Sequence, residues 1–92
     1  AHDVFVSYSS RDQATAVAVV HGLEAAGIRC WLAPRDIRAG QVWAEAIVEA
    51  LNSARAFVLV FSSHANRSSH IANELDAAIR KGAIVVPFRI ET

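Results

Sequence analysis

The side chains of this 92-residue chain that could do chemistry fall into a few short clusters. Ser9-Ser10-Arg11 follows one apolar run, Ser62-Ser63-His64 follows another, and His70 stands four residues before Glu74. A guanidinium is a group that holds phosphate oxygens, and a helix opening after the two serines would offer its free backbone N–H groups to a pyrophosphate. An imidazole can stack on a base or ribose with a pH-dependent charge, and a lone carboxylate can stabilise developing positive charge. Each residue also has a plainer reading. A glutamate on a helix is by default solvated, Ser9 and Ser10 cap a helix, and Arg11 is a first-turn residue. Ser62 and Ser63 satisfy loop backbone groups.

Several familiar chemistries are excluded. The turn after the first apolar run lacks G-x-G-x-x-G, and no G-x-x-x-x-G-K-[ST] occurs, so neither nucleotide fingerprint is present. A phosphoacceptor receiver needs acidic residues after its first strand and an Asp ending its third, where this chain has Tyr8-Ser9 and Phe61-Ser62. There is no nucleophile elbow and no paired His/Cys spacing suited to zinc.

These clusters need elements to position them, and the segments alternate regularly. Asp3 to Tyr8 reads as a first strand. Ser10 is expected to cap a helix with Gln13 reaching back, and that helix runs to about Ala26 with Val17, Val20 and Leu23 or Glu24 on its buried stripe and Gly27 as its stop. Ile28 to Leu32 reads as a second strand, and Ala33 to Gly40 as a loop. A second helix spans Val42 to Ala54 with Trp43, Ile47 and Leu51 facing inward. Ala56 to Phe61 is continuously apolar, a strand covered on both faces. Ser69 is expected to cap a third helix, His70 to Lys81, with Ile71, Leu75, Ala78 and Ile79 inward and Gly82 ending it. Ala83 to Phe88 is a fourth strand.

Strands alternating with such helices imply right-handed βαβ units, hence an α/β fold with a parallel sheet. The expectation is a flavodoxin-like three-layer α/β/α domain of strand order 2-1-3-4. Ligands of such sheets sit beyond the carboxyl ends of the strands, at the switch point between the first and third. That places the Ser9 turn, the Ser62 loop, the Ala33–Gly40 loop and the start of the third helix at one end of the sheet.

Composition narrows the class further. Hydrophobic residues make up 53% of the chain, which supplies a core and excludes intrinsic disorder. Nine basic against nine acidic residues argue against direct binding of nucleic acid. No apolar run approaches the ~20 residues of a membrane span. Cys30 is the sole cysteine, read as a buried inert thiol in a reducing compartment, hence a cytoplasmic location. The chain has no Met and starts directly in strand-like sequence, so residues 1–92 are expected to be one domain of a longer polypeptide.

Taken in order, Asp3-Val4-Phe5-Val6-Ser7-Tyr8-Ser9-Ser10-Arg11-Asp12, Gly27 to Ile37, Gly40-Gln41-Val42-Trp43 and Phe61-Ser62-Ser63 leading to Ser68 through Leu75 resemble the TIR (Toll/interleukin receptor) domains in their bacterial form. That resemblance implies one of two functions. Some members recruit other TIR domains; others cleave NAD+ at the nicotinamide–ribose bond with a glutamate in the third helix, here Glu74. By the same resemblance Ala33, Pro34, Arg35, Asp36, Ile37 and Gly40 belong to the loop that contacts neighbouring protomers and gates the site. Ser9, Ser10 and Arg11 would hold phosphates, with Trp31, Trp43 and His70 flanking the base. Trp31 and Trp43 also read simply as packing residues framing the loop, and Arg35 and Asp36 as a self-bonded turn.

The chemistry is self-consistent. Nicotinamide leaves as a good, initially cationic group, so one carboxylate that stabilises an oxocarbenium-like ribose suffices, with NAD+ as substrate and no cofactor or metal. The sequence departs from many NAD-cleaving relatives in having His70 where they carry Trp. It also stops short of the family's usual fifth strand and following helix. Host defence, or interference with a host's signalling, is implied by the resemblance alone. Three readings stay open: a NAD+ hydrolase or cyclase activated by self-assembly, a non-enzymatic TIR–TIR scaffold, and a regulatory fragment whose activity lies elsewhere.

Overall fold

Side-chain alternation in the first strand sets the layout of the molecule. In the computed structural model, which describes residues 2–33, 35–37, 39–62 and 69–89, with the backbone alone at 61, 69, 70 and 89, β1 runs Val4–Ser7 and is buried along its whole length. Successive residues of a strand face opposite sides of its sheet. Val4 and Val6 therefore enter an aliphatic cluster with Ala16, Val20, Cys30, Leu32, Val58 and Val60. Phe5 enters another, with Trp31, Phe57, Leu59, Ala46, Ala50, Ile71 and Ala78.

The remaining elements follow the expected order: a 3₁₀ turn Ser10–Asp12, α1 Gln13–Ala25, β2 Cys30–Trp31, α2 Trp43–Ser53, β3 Ala56–Phe61, α3 Ser69–Lys81 and β4 Ile84–Arg89. The sheet is parallel with order β2-β1-β3-β4. Helix α1 covers the aliphatic face, while α2 and α3 cover the other, giving the three-layer flavodoxin-like arrangement. Register places Phe5 beside Trp31 and Phe57 on adjacent strands. The rings stack at 5.1 Å and 5.6 Å between centroids, with planes 12° and 9° apart. Each stack adds ~0.5–1.5 kcal/mol beyond its area burial.

Several boundaries differ from the sequence expectation, each for a local reason. Strand β2 holds two residues rather than five. The Ile28 amide donates to Leu23 O (3.0 Å) at the end of α1, and the Leu32 amide to Asp36 Oδ2 (2.8 Å), so neither joins the ladder. Ser10 does not cap α1. Ser9 Oγ accepts from the Arg11 amide at 3.4 Å and starts the 3₁₀ turn, and α1 opens behind Asp12 with no side-chain cap. Helix α3 begins at Ser69 rather than His70. Trp43 and Ile79 do not face inward: they are 58% and 59% exposed, and Ala46, Ala50 and Ala78 occupy the buried stripes beside them. On α1 the buried positions are Ala16 and Val20, with Val17 and Leu23 half-buried at the flank and Glu24 exposed.

Both glycine stops hold. Gly27 (φ 86°) and Gly82 (φ 87°) end α1 and α3 in the left-handed region. Paired reverse bonds, Gly27 N to Glu24 O with Ile28 N to Leu23 O, and Gly82 N to Ile79 O with Ala83 N to Ala78 O, complete Schellman closures. Lys81 Nζ reaches across to α2's last turn and donates to Leu51 O (2.6 Å), Asn52 O and Ala54 O (2.8 Å). It thereby joins the ends of two helices and places a cation at the negative end of α2. On β4 at the sheet's end, Ile84, Val86 and Phe88 are exposed. Among the described residues no helix is long and apolar enough to cross a membrane.

Candidate functional site

The carboxyl ends of β1 and β3 lie side by side, with Ser7 paired to Leu59, so the turn leaving β1 and the loop leaving β3 meet above the sheet. Ser62 and Asp12, both buried, join these two loops through a 2.5 Å bond from Ser62 Oγ to Asp12 Oδ2. On the α2/α3 side of this rim lies a cleft of about 650 Å³, within the range that holds a small-molecule ligand.

Glu74 reaches the cleft from α3. It is 8% exposed, on the same stripe as Ile71 and Ala78 at the 3- and 4-residue spacings that align a helix face. Its Oε1 accepts a hydrogen bond from Ser7 Oγ at 2.9 Å. The helix stripe therefore carries the carboxylate to the sheet rather than to solvent. Sequence reasoning had no role for Ser7, which lines the cleft as well. The signal was present: it shares a strand face with Phe5 in an otherwise apolar run, and a polar residue on a buried face has a partner.

Of the other expected site residues, Ser9, Ser10, Trp31, Ala33 and Trp43 line the same cleft as Glu74, with Tyr8, Gln13, Ala44 and Ile47 between them. Trp31 forms part of its floor through the ring stack, and Trp43 stands at the start of α2 with most of its surface in solvent. Tyr8 Oη donates to Ala33 O and ties the β1 turn to the loop after β2, and partial burial pushes its phenol above the ordinary value of 10.0. Arg11 is exposed on the 3₁₀ turn and is not among the cleft-lining residues. The side chain of His70, and Pro34, Ser63 and His64, lie outside the described residues.

The loop residues form a second constellation. Arg35 donates to Glu24 through Nη1 (3.0 Å) and Nη2 (2.9 Å), to Asp36 Oδ2 through Nε (3.1 Å) and Nη2 (2.8 Å), and to Cys30 O (2.9 Å). The two carboxylates hold its guanidinium protonated above the usual range. Asp36 folds back on the Leu32 amide, Ile37 packs half-buried against the aromatic-face core, and Gly40 is exposed with φ 80°. The loop stem is thus fastened to α1 and β2. Cys30 is buried beneath it, and burial raises its thiol. Among the described residues no group of three His, Cys, Asp or Glu is placed to hold a metal ion.

Comparison with known proteins identifies this arrangement. The family profile of the TIR domain matches residues 4–92. The chain is 34% identical over 76 residues to a protein of Paracoccus denitrificans (strain Pd 1222) named NAD(+) hydrolase PdTIR, covering 82% of this chain and 25% of that relative's length. Among solved structures, the TIR domain of the Toll-related receptor TRR-2 from Hydra magnipapillata superposes with a TM-score of 0.85 at 23% identity, over 100% of this chain and 75% of that one. The TIR domains of the activated Roq1 resistosome give 0.82 at 24% identity, over 97% of this chain and 57% of theirs. A metazoan TIR-STING receptor from C. gigas gives 0.80 at 24%, over 97% and 31%. At these identities the structural likeness is one of fold.

Proposed function

The chain belongs to the TIR-domain family, and from that membership together with the cleft around Glu74 we propose that it is a NAD+ hydrolase or cyclase that breaks the nicotinamide–ribose bond. The observation that carries the proposal is the buried Glu74 carboxylate at the rim of the cleft, in a chain similar to one named for this activity. When the glycosidic C–N bond breaks, its electron pair goes to the pyridinium nitrogen and neutralises it. Nicotinamide leaves, and positive charge spreads over ribose C1′ and the ring oxygen. A carboxylate withdrawn from water interacts with that charge more strongly than a solvated one. Glu74 supplies it and orients the ribose hydroxyls. Water, or a nucleophilic atom of the same nucleotide, then completes C1′ and its proton passes to solvent.

The remaining lining supports a dinucleotide. The Ser9–Ser10 turn opens the 3₁₀ segment toward the cleft, where backbone N–H groups can meet the pyrophosphate, and Trp31 and Trp43 supply flat surface for a base. Arg11, exposed beside this turn, can reach a phosphate only from outside the cleft. With Trp43 mostly in solvent, a single copy leaves the ligand partly open. Activity therefore rises with self-assembly, which would cover the mouth.

The decisive assay is nicotinamide release from NAD+ at high protein concentration. Wild-type protein turns over, and Glu74→Gln stops turnover while keeping the circular-dichroism spectrum. Undiminished release by Glu74→Gln removes the proposal. A second reading, a TIR–TIR scaffold without chemistry, draws on exposed Val42 and Trp43 and on the fastened loop stem. It predicts no release at any concentration, and loss of assembly on Asp36 substitution.

A further inference from the structure

We infer that Ser7 is a positioning residue for Glu74: its hydroxyl, fixed in the sheet, holds the carboxylate at the angle and depth the reaction needs. The inference rests on the proposed NAD+ cleavage at Glu74. Ser7 is 2% exposed, at the carboxyl end of a fully buried strand. It pairs in register with Leu59 of β3, which holds its backbone in the sheet. On its face of the sheet the neighbouring buried side chains are Phe5, Trp31, Phe57 and Leu59. A hydroxyl among them is selected for what it bonds, and what it bonds is Glu74 Oε1 at 2.9 Å, 67 residues away in sequence.

A glutamate reaches the cleft on three rotatable side-chain bonds, and helix packing fixes only where it starts. A serine has one such bond, so a hydroxyl anchored in the sheet restricts where Glu74 Oε1 can lie. Ser7 adds no charge of its own. It orients Glu74 without neutralising it, unlike a lysine or arginine in its place. Displacement of a reacting group by about 1 Å can cost on the order of a hundredfold in rate, which is the scale of effect expected here.

Because Ser7 also lines the cleft, the test must separate positioning from direct substrate contact and from packing. Thr and Val have nearly the same shape and differ in the hydroxyl, so Ser7→Thr and Ser7→Val in the full-length protein share any strain from the added methyl. The expected result is that Ser7→Val lowers kcat roughly ten- to a hundredfold relative to Ser7→Thr, with KM within about twofold. Ser7→Ala, which adds no bulk, should show the same kcat loss against wild type and keep its melting temperature within a few degrees. Equal kcat for Thr and Val, or for Ala and wild type, overturns the inference. So does a raised KM with kcat retained, which would make Ser7 a substrate contact. If the Thr and Val proteins do not fold, the Ala protein decides; if the Ala protein does not fold, the pair decides. Glu74→Gln measured alongside keeps the two claims apart. An inactive Glu74→Gln with a fully active Ser7→Ala removes this inference alone, whereas an active Glu74→Gln removes the proposed function beneath it.

Discussion

Two helix glutamates in this domain stand in contrasting surroundings. Glu24, in the last turn of α1, is exposed and meets both Nη atoms of Arg35, which keeps its carboxyl below the ordinary 4.5. Glu74, in the middle of α3, is buried and receives a neutral hydroxyl from a strand. A carboxylate matched to a guanidinium in solvent spends its charge on that partner and fastens a loop. One that accepts a hydroxyl from the sheet beside a cleft is oriented by that bond. Sequence position distinguishes the two poorly, since both are single glutamates in Ala-rich helices; the face they occupy separates them.

The contrast breaks most sharply under paired amide substitutions. Glu74→Gln is expected to lower nicotinamide release at least about a hundredfold, whereas Glu24→Gln stays within about twofold, read in one assay at one protein concentration. Comparable losses from both would mean that the loop stem, and not the cleft carboxylate, controls turnover. A smaller effect appears in stability. Removing the bond between Ser7 and Glu74, Ser7→Ala with Glu74→Gln, is expected to cost at most about 1 kcal/mol, the usual net contribution of one intramolecular hydrogen bond. Denaturant melts decide it, and a loss of several kcal/mol would make the pair a structural element.

Below that comes Arg35→Ala, which releases Glu24 and Asp36 together. A drop in melting temperature of at most a few degrees is expected, diminishing in high salt, since exposed ion pairs contribute little. Faster hydrogen exchange at the Leu32 amide, whose acceptor is Asp36, would show the stem loosening. The smallest effect is one of pH. Glu24 and Asp3 both have carboxyls lowered in the folded state, by Arg35 and Arg29. Their contribution is present above the ordinary values of 4.5 and 3.8 and is lost as pH falls through the lowered ones. Carboxyl titration by NMR should place both midpoints below those values, and loop exchange should quicken only in that acidic range.

Much of this arrangement is legible in the sequence because period and punctuation agree. The continuous apolar run Ala56–Phe61 is β3 to the residue, Gly27 and Gly82 end their helices, and strand–helix alternation yields the observed order. The family likeness of Glu74 and its neighbourhood led to the cleft. What misleads is alanine. On α1 and α2 the bulky residues suggest inner faces at Val17 and Trp43, while the sheet is approached by Ala16, Ala46 and Ala50; on α3 Ile71 and Ala78 are inward as expected and Ile79 is turned out. A helix lying close to a sheet places its smallest residues at the contact and its larger ones at the flanks, so a pattern weighted by bulk is rotated off the true face. Ser7 escaped notice for a related reason: inside a strand its partner comes from another helix, which no local pattern reveals.

The two tryptophans end up in opposite surroundings, Trp31 stacked on Phe5 and 4% exposed, Trp43 58% exposed at the opening of the cleft. Indole emission shifts to longer wavelength as water relaxes around the excited ring, so the domain carries a blue emitter in its interior and a red one at its doorway. Trp31 fluorescence should follow unfolding and ignore dilution. Trp43 fluorescence should respond when a nucleotide or a second copy arrives, which makes occupancy and assembly readable in the unlabelled protein.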